Sequence, residues 1–290
     1  MATPEINNWG RWGKNDQLGT LNLMTPESIL AALRLVRRGK VYSLSIPLEK
    51  DGPQHPMFHK TWQVTFLTTD PTPGAYNVAD DVVTMVTHSG THIDALGHTW
   101  KDGLMWNGRS AENVTSYGIN WAGIQNLPGI VARGVMLDIP RFKGVEHLGL
   151  GEVVTPEVME GCAKAQGVEI RPGDVLCIRT GWYVLFQKDR ALWEEGEPGP
   201  DAAGTAWFKA RDVIAIGADN AAVEAYVTRT RSNVAPRLHT TAIRDLGAYL
   251  IEHLNLEELA RDRVYEFLFV GAPLCLPKAT GSPFAPLALV

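Results

Sequence analysis

Two segments open on the same polar triplet and continue with apolar residues at helical spacing. Thr25-Pro26-Glu27 offers a hydroxyl cap, a proline suited to the first helical position and an acid that favours the positive end of a helix. Ile29, Leu30, Leu33 and Val36 follow, and Gly39 stops the run. Thr155-Pro156-Glu157 repeats the device, predicting a helix to about Gln166 with Gly167 as its stop. Strand-type runs lie at Val41–Ile46, Trp62–Thr68, Val82–Thr87, Ile130–Ile139, Asp174–Thr180, Val213–Gly217 and Tyr265–Val270. Several are apolar at nearly every position, the pattern of strands covered on both faces. Shorter helical patterns fall at Ala202–Arg211, Ala242–Leu246 and Leu256–Arg261. Strands and helices interleave, so the class is α/β, with α+β as the alternative.

The Pro/Gly-rich stretches Asp70–Gly74 and Gly196–Gly204 are too short for domain linkers. A single domain is therefore expected over residues 41–290, preceded by an arm and first helix over 1–40. Gly196–Gly204 reads as a surface loop that carries no chemistry. Within the arm, Trp9 and Trp12 stand among Gly10, Gly13 and Gly19. Exposing both indoles would be unfavourable by a few kcal/mol, so they are expected to pack, with a neighbouring subunit favoured over their own.

The composition narrows the function. With 290 residues, 45% hydrophobic and 20% charged, the chain can bury a core without metal or disulfide staples. Any metal site would then serve chemistry rather than folding. A net charge of −5 gives no basic footprint for nucleic acid and no polybasic patch for a membrane surface. Cys162, Cys177 and Cys275 form no Cys-x-x-Cys pair, which argues against a thiolate zinc site and fits a reducing compartment. The N-terminal residues lack a signal-peptide pattern and no apolar run is long enough to span a bilayer, so a cytoplasmic protein is expected. Nucleophile-elbow, dinucleotide-binding and phosphate-loop motifs are missing, as is His-Glu-x-x-His.

One segment stands apart. Three of the eight histidines and an aspartate, His88, His92, Asp94 and His98, fall within eleven residues, all at even positions. On an extended chain residues of one parity share a face, and Ser89-Gly90 argues against a helix through them. Two imidazoles and a carboxylate suit zinc, manganese or iron(II). Gly90 would let the backbone bend around an ion, and Thr91 could orient a ligand from behind.

The run His88-Ser89-Gly90-Thr91-His92-Ile93-Asp94-Ala95-Leu96-Gly97-His98 resembles the signature of the cyclase family of metal-dependent hydrolases. That family includes bacterial kynurenine formamidases, isatin hydrolases and a zinc-dependent dienelactone hydrolase. Seven fixed residues agree in order and spacing, and Leu96 stands where proline is usual. A second half-site is similar too: His239, then Glu252 in the run GAYLIEHLNL. The resemblance covers about Val41 to Ala272. It implies a β/β/α swivelling-type core, usually oligomeric, and one or two divalent ions, zinc or manganese. It implies that His88, His92 and Asp94 bind one ion, and that Asp94, His239 and Glu252 bind a second. His98 would be the acid/base residue. His253, beside Glu252, reads as a surface residue, and His55, His59 and His147 as loop residues, the first two within reach of a pocket.

The implied activity is opening of an aryl or cyclic amide, or a lactone, by metal-activated water. A metal-dependent ring closure or lyase reaction on a carbonyl compound is the alternative, and a non-catalytic metal-binding protein a third. The substrate would be a small molecule, aromatic or cyclic, that stacks on Trp62 and Trp100. Phe58 and Trp106 also flank the signature. Arg179-Thr180-Gly181-Trp182 and Asp219-Asn220 each follow a predicted strand and could approach the site or form ordinary turns.

Overall fold

The structure is a computed structural model that describes residues 6–54, 63–68, 73–228 and 237–290, with backbone only for 63–68. Phe58, Trp62, His55 and His59 lie outside the described residues. A nine-stranded mixed sheet organises the chain. Its centre is four parallel strands, Ile130–Asp138, Val175–Arg179, Ala215–Ala218 and Tyr249–Glu252, in that spatial order. The last three are buried at every residue, as unbroken apolar runs require. Antiparallel strands extend both sides. Beyond Ile130–Asp138 lie Glu266–Gly271, Leu287–Leu289 and Val41–Ser43; beyond Tyr249–Glu252 lie His92–Asp94 and Gly281–Pro283. The α/β expectation therefore holds. No helix among the described residues is long and apolar enough to cross a membrane.

Both Thr-Pro-Glu openings start helices as read, although the first ends at Leu33, short of Val36 and Gly39. Thr25 and Thr155 accept hydrogen bonds from the backbone of Ser28 and Val158, starting the helices Pro26–Leu33 and Pro156–Gln166. Gly167 ends the second in a left-handed conformation, φ 70°. The strand expected at Val82–Thr87 instead spans Ala79–Thr84, in a two-stranded ribbon with Gln63–Thr68. All six of its residues are exposed. The β-branched residues favour an extended chain, and the pairing of Val83 with Val64 and Val82 with Thr65 sets the register without burying a face. Gly281–Pro283 and Leu287–Leu289 carry no strong strand pattern. Each is only three residues long, and Pro283 is tolerated on the outermost strand.

Two expectations are corrected here. Residues 196–200 are buried, not a surface loop. The strand Gly196–Glu197 pairs with Tyr226–Val227, and Gly199 packs so closely on Val223 that a Cβ there would come within 2.1 Å of its carbonyl oxygen. The arm, in turn, packs on its own chain. Trp9 Nε1 donates to the Arg244 carbonyl at 2.7 Å, and the Arg244 guanidinium lies 4.6 Å from its ring centre. Trp12 lies 6.4 Å from the buried Trp106, whose Nε1 donates to the Asp16 carbonyl. The Thr20 hydroxyl donates to the carbonyls of Ile214 and Gly247, and Leu21 enters the main core. The arm thus braces the segment that follows His239. Trp12→Ala is expected to lower unfolding free energy by about 1–3 kcal/mol, less than a fully buried Trp→Ala change. Because the partner is intramolecular, urea denaturation should show the same loss at low and high protein concentration.

Candidate metal centre

The site is set by strand register. His92 is paired with Glu252 across the antiparallel contact between His92–Asp94 and Tyr249–Glu252. Directly opposed residues project to one side of a sheet, and Asp94, two residues on, shares that side. On the far side of the signature strand Gly281 opposes Asp94. A Cβ on Gly281 would come within 2.4 Å of the His88 ring, so His88 lies where any other residue would put its side chain. Gly90, at φ +56°, turns the backbone between His88 and His92 in a conformation suited to glycine.

Asp94 is the hub. Oδ1 lies 2.7 Å from His88 Nδ1 and 3.6 Å from His92 Nε2. Oδ2 lies 3.7 Å from His239 Nε2 and 3.9 Å from His98 Nε2. Glu252 completes the ring, 3.1 Å from His92 Nε2 through one oxygen and 3.0 Å from His239 Nε2 through the other. Each histidine is held from behind or beside. The Gly90 carbonyl is 2.9 Å from His92 Nδ1, the Thr280 hydroxyl 3.1 Å from His88 Nε2, and His98 stacks on His88 with ring centres 4.3 Å apart. The Thr91 hydroxyl accepts from Ile46 N and donates to the His253 carbonyl, so it ties backbone segments together rather than orienting a ligand side chain.

The cluster fits a divalent ion. The Asp94 carboxylate is fully buried, and its Oδ2 has no hydrogen-bond partner among the described residues, a costly state for an anion that a cation would relieve. Two sets of donor atoms lie within 4.8 Å of one another: His88, His92 and Asp94, and Asp94, His98 and His239. Electrostatics agree. Burial opposes charge on His92, but Glu252 and Asp94 outweigh it and hold the imidazole at about 9. Burial likewise opposes charge on His239, but Glu224 and Glu252 raise it to about 10. His98 goes the other way: burial outweighs Asp94 and lowers it to about 4. Burial pushes the Asp94 carboxyl up, yet His98 and His88 hold it below its ordinary value.

All six residues read from the sequence as ligands or acid/base thus meet. His253 does not lie on the surface. It is buried at φ +53°, ending the strand, with its ring 6.1 Å from Trp193 and 6.2 Å from His92. Trp106 is core, whereas Trp100 is half exposed just past His98. His147 is a loop residue, edge-on to Trp182. Arg179 is engaged by Asp138 and Glu257, and Asp219 accepts from the backbone of Thr180 and Gly181. Both therefore tie strand ends together. Glu197 and Glu224 were not singled out by sequence reasoning. The available signal was the run Ala221-Ala222-Val223-Glu224-Ala225, a lone acid among small apolar residues, which implies a buried partner. Glu224 accepts from Arg237 and Leu238 N and lies 3.2 Å from His239 Nδ1. Glu197 accepts from Ala221 N, while burial, with Glu252 and Glu224 nearby, raises its carboxyl well above the ordinary range.

The family model Cyclase matches residues 42–225. The chain belongs to the cyclase family. A crystal structure of a novel cyclase is 35% identical, covering 99% of this chain and 100% of that one, with a TM-score of 0.90. More distant folds of the same kind include isatin hydrolase A from Ralstonia solanacearum, 21% identical over 92% of this chain and 97% of that one, TM-score 0.59. A predicted metal-dependent hydrolase from Bacillus stearothermophilus is 19% identical over 87% and 98%, TM-score 0.55. No curated protein matches the chain. Cyclase membership agrees with the signature and with the core fold.

An ion entering this cluster must displace the protons that His92 and His239 hold up to about 9 and 10. Its apparent affinity should therefore rise with pH between 6 and 9 by about tenfold per unit for each proton released, and fall toward acid. Calorimetric titration with zinc in two buffers of different ionisation enthalpy measures this. Binding without proton release would mean that these imidazoles do not give up protons to the ion.

Proposed function

We propose that this cyclase-family protein is a metal-dependent hydrolase that opens an aryl or cyclic amide, or a lactone, using one or two divalent ions, zinc or manganese. The observation that carries this reading is the buried Asp94 carboxylate, ringed by four imidazoles and Glu252, with one oxygen unpartnered among the described residues. Fold relatives lend support. One is an isatin hydrolase bound to the product analogue thioisatinate, with 21% identity and a TM-score of 0.64.

His88, His92 and Asp94 would hold one ion, and Asp94, His239 and Glu252 the other. Imidazole donors favour zinc, and the carboxylate share suits manganese. When bound, such ions polarise a carbonyl and let water ionise near neutral pH. The chain's own residues do the rest. His98 has the most open side chain of the cluster, 26% exposed against 0–16% for the others, so it can meet both substrate and solvent. Its Nε2 faces Asp94 Oδ2, and its surroundings favour the uncharged ring. It can therefore take a proton from the attacking water and return it to the leaving nitrogen or oxygen. Its stack on His88 fixes the ring's plane. Half-exposed Trp100, two residues on, offers a flat apolar surface to a cyclic substrate.

Reaction in ¹⁸O-labelled water tests hydrolysis against ring closure or elimination: one labelled oxygen should enter the opened product. Chelated protein is expected to stay folded, lose activity and regain it with zinc or manganese. Full activity without metal would overturn the reading. His98→Ala should keep its ions and lose about 10²–10⁴-fold in kcat, the scale of a lost general acid/base. Measuring metal content and kcat on the same preparation separates this from ligand loss, which would remove an ion as well.

A further inference from the structure

One buried carboxylate organises the approach to His239. Glu224, its side chain 4% exposed, touches three successive residues. Oε1 accepts from Arg237 Nε at 2.8 Å and from its Nη2. Oε2 accepts from Leu238 N at 2.6 Å. Oε1 also lies 3.2 Å from His239 Nδ1, an ion-pair contact rather than a directed hydrogen bond. The opposite ring nitrogen, Nε2, is the one that faces Glu252 and Asp94. An imidazole has two nitrogens, and the partner of one fixes what the other can do. Ligating histidines commonly hand their second N–H to a carboxylate, which sets the tautomer and makes the ligand more basic.

We propose that Glu224 is a positioning residue of the metal centre, holding His239 through Nδ1 so that Nε2 is presented to an ion shared with Asp94 and Glu252. This rests on the assignment of His239 as a ligand. Arg237 holds the Glu224 carboxylate in place, as its guanidinium grips the same oxygen that faces the imidazole. A purely structural Glu224 would cap Leu238 N and no more. Glutamine keeps that acceptor and the side chain's length but loses the charge.

Zinc titration of metal-free protein provides the test, with His239→Ala marking which binding step belongs to His239. Glu224→Gln is expected to weaken that same step by about 10–100-fold, the range for such outer carboxylates, and to leave the step through His88 and His92 within about threefold. In zinc-loaded wild type, long-range ¹⁵N–¹H spectra should show His239 protonated at Nδ1 and metallated at Nε2. Folded Glu224→Gln that takes up both ions like wild type would overturn the proposal, as would metallation at Nδ1. The spectral measurement needs no variant and so decides even if the substitution prevents folding. A His239→Ala protein that loses no binding step would instead overturn the ligand assignment beneath the proposal.

Discussion

The pairing of Ile93 with Ile251 and of His92 with Glu252 joins two parts of the chain that lie some distance apart in sequence. The signature strand is three residues long, too short to be stable alone. It exists because it is sandwiched between the last parallel strand and Gly281–Pro283. A slip of one residue would turn His92 and Asp94 away from Glu252, since strand side chains alternate. The apolar core enforces the register: Ile93 and Ile251 are both fully buried on the opposite face. Hydrophobic packing on one side of the sheet thereby aims ionisable groups on the other.

The same arrangement explains what was legible in the sequence. His88, His92, Asp94 and His98 fall within eleven residues, so their convergence needs only an extended backbone and a turn at Gly90. Three of the four parallel strands were legible because unbroken apolar runs have few alternatives, whereas Tyr249–Glu252, four residues ending in an acid, was not read as a strand. Glu252 was visible only through family resemblance, and the choice between it and His253 depended on pairing. Opposition to His92 sends Glu252 to the cluster, while the positive φ of His253 ends the strand and turns its ring against Trp193. Trp9 and Trp12 gave no clue to their partners, since Arg244 and Trp106 lie far along the chain. The buried course of residues 196–200 was hidden for a different reason. Glycine and proline signal turns, and here they permit close backbone approach, as at Gly199 against Val223.

Charge balance ties the centre to the fold. Burial opposes ionisation of Asp94, Glu252 and Glu224, and neighbouring imidazoles, joined by Arg237 at Glu224, hold each of them below its ordinary value. Among the described residues, Arg237 and the imidazoles of His92 and His239, which favour their protonated forms, stand beside these carboxylates in the metal-free protein. A divalent ion that displaces the two imidazole protons leaves the total charge unchanged. Protons and metal are therefore alternative counterions for one set of buried anions, and the sheet beneath need not rearrange when they exchange. Glu197 shows the limit of that balance. It is buried near Glu252 and Glu224 with a backbone N–H but no cation among its described contacts, and its carboxyl is held well above the ordinary range. A fourth buried anion would meet no cation among the described contacts, and burial accordingly favours the protonated form of Glu197.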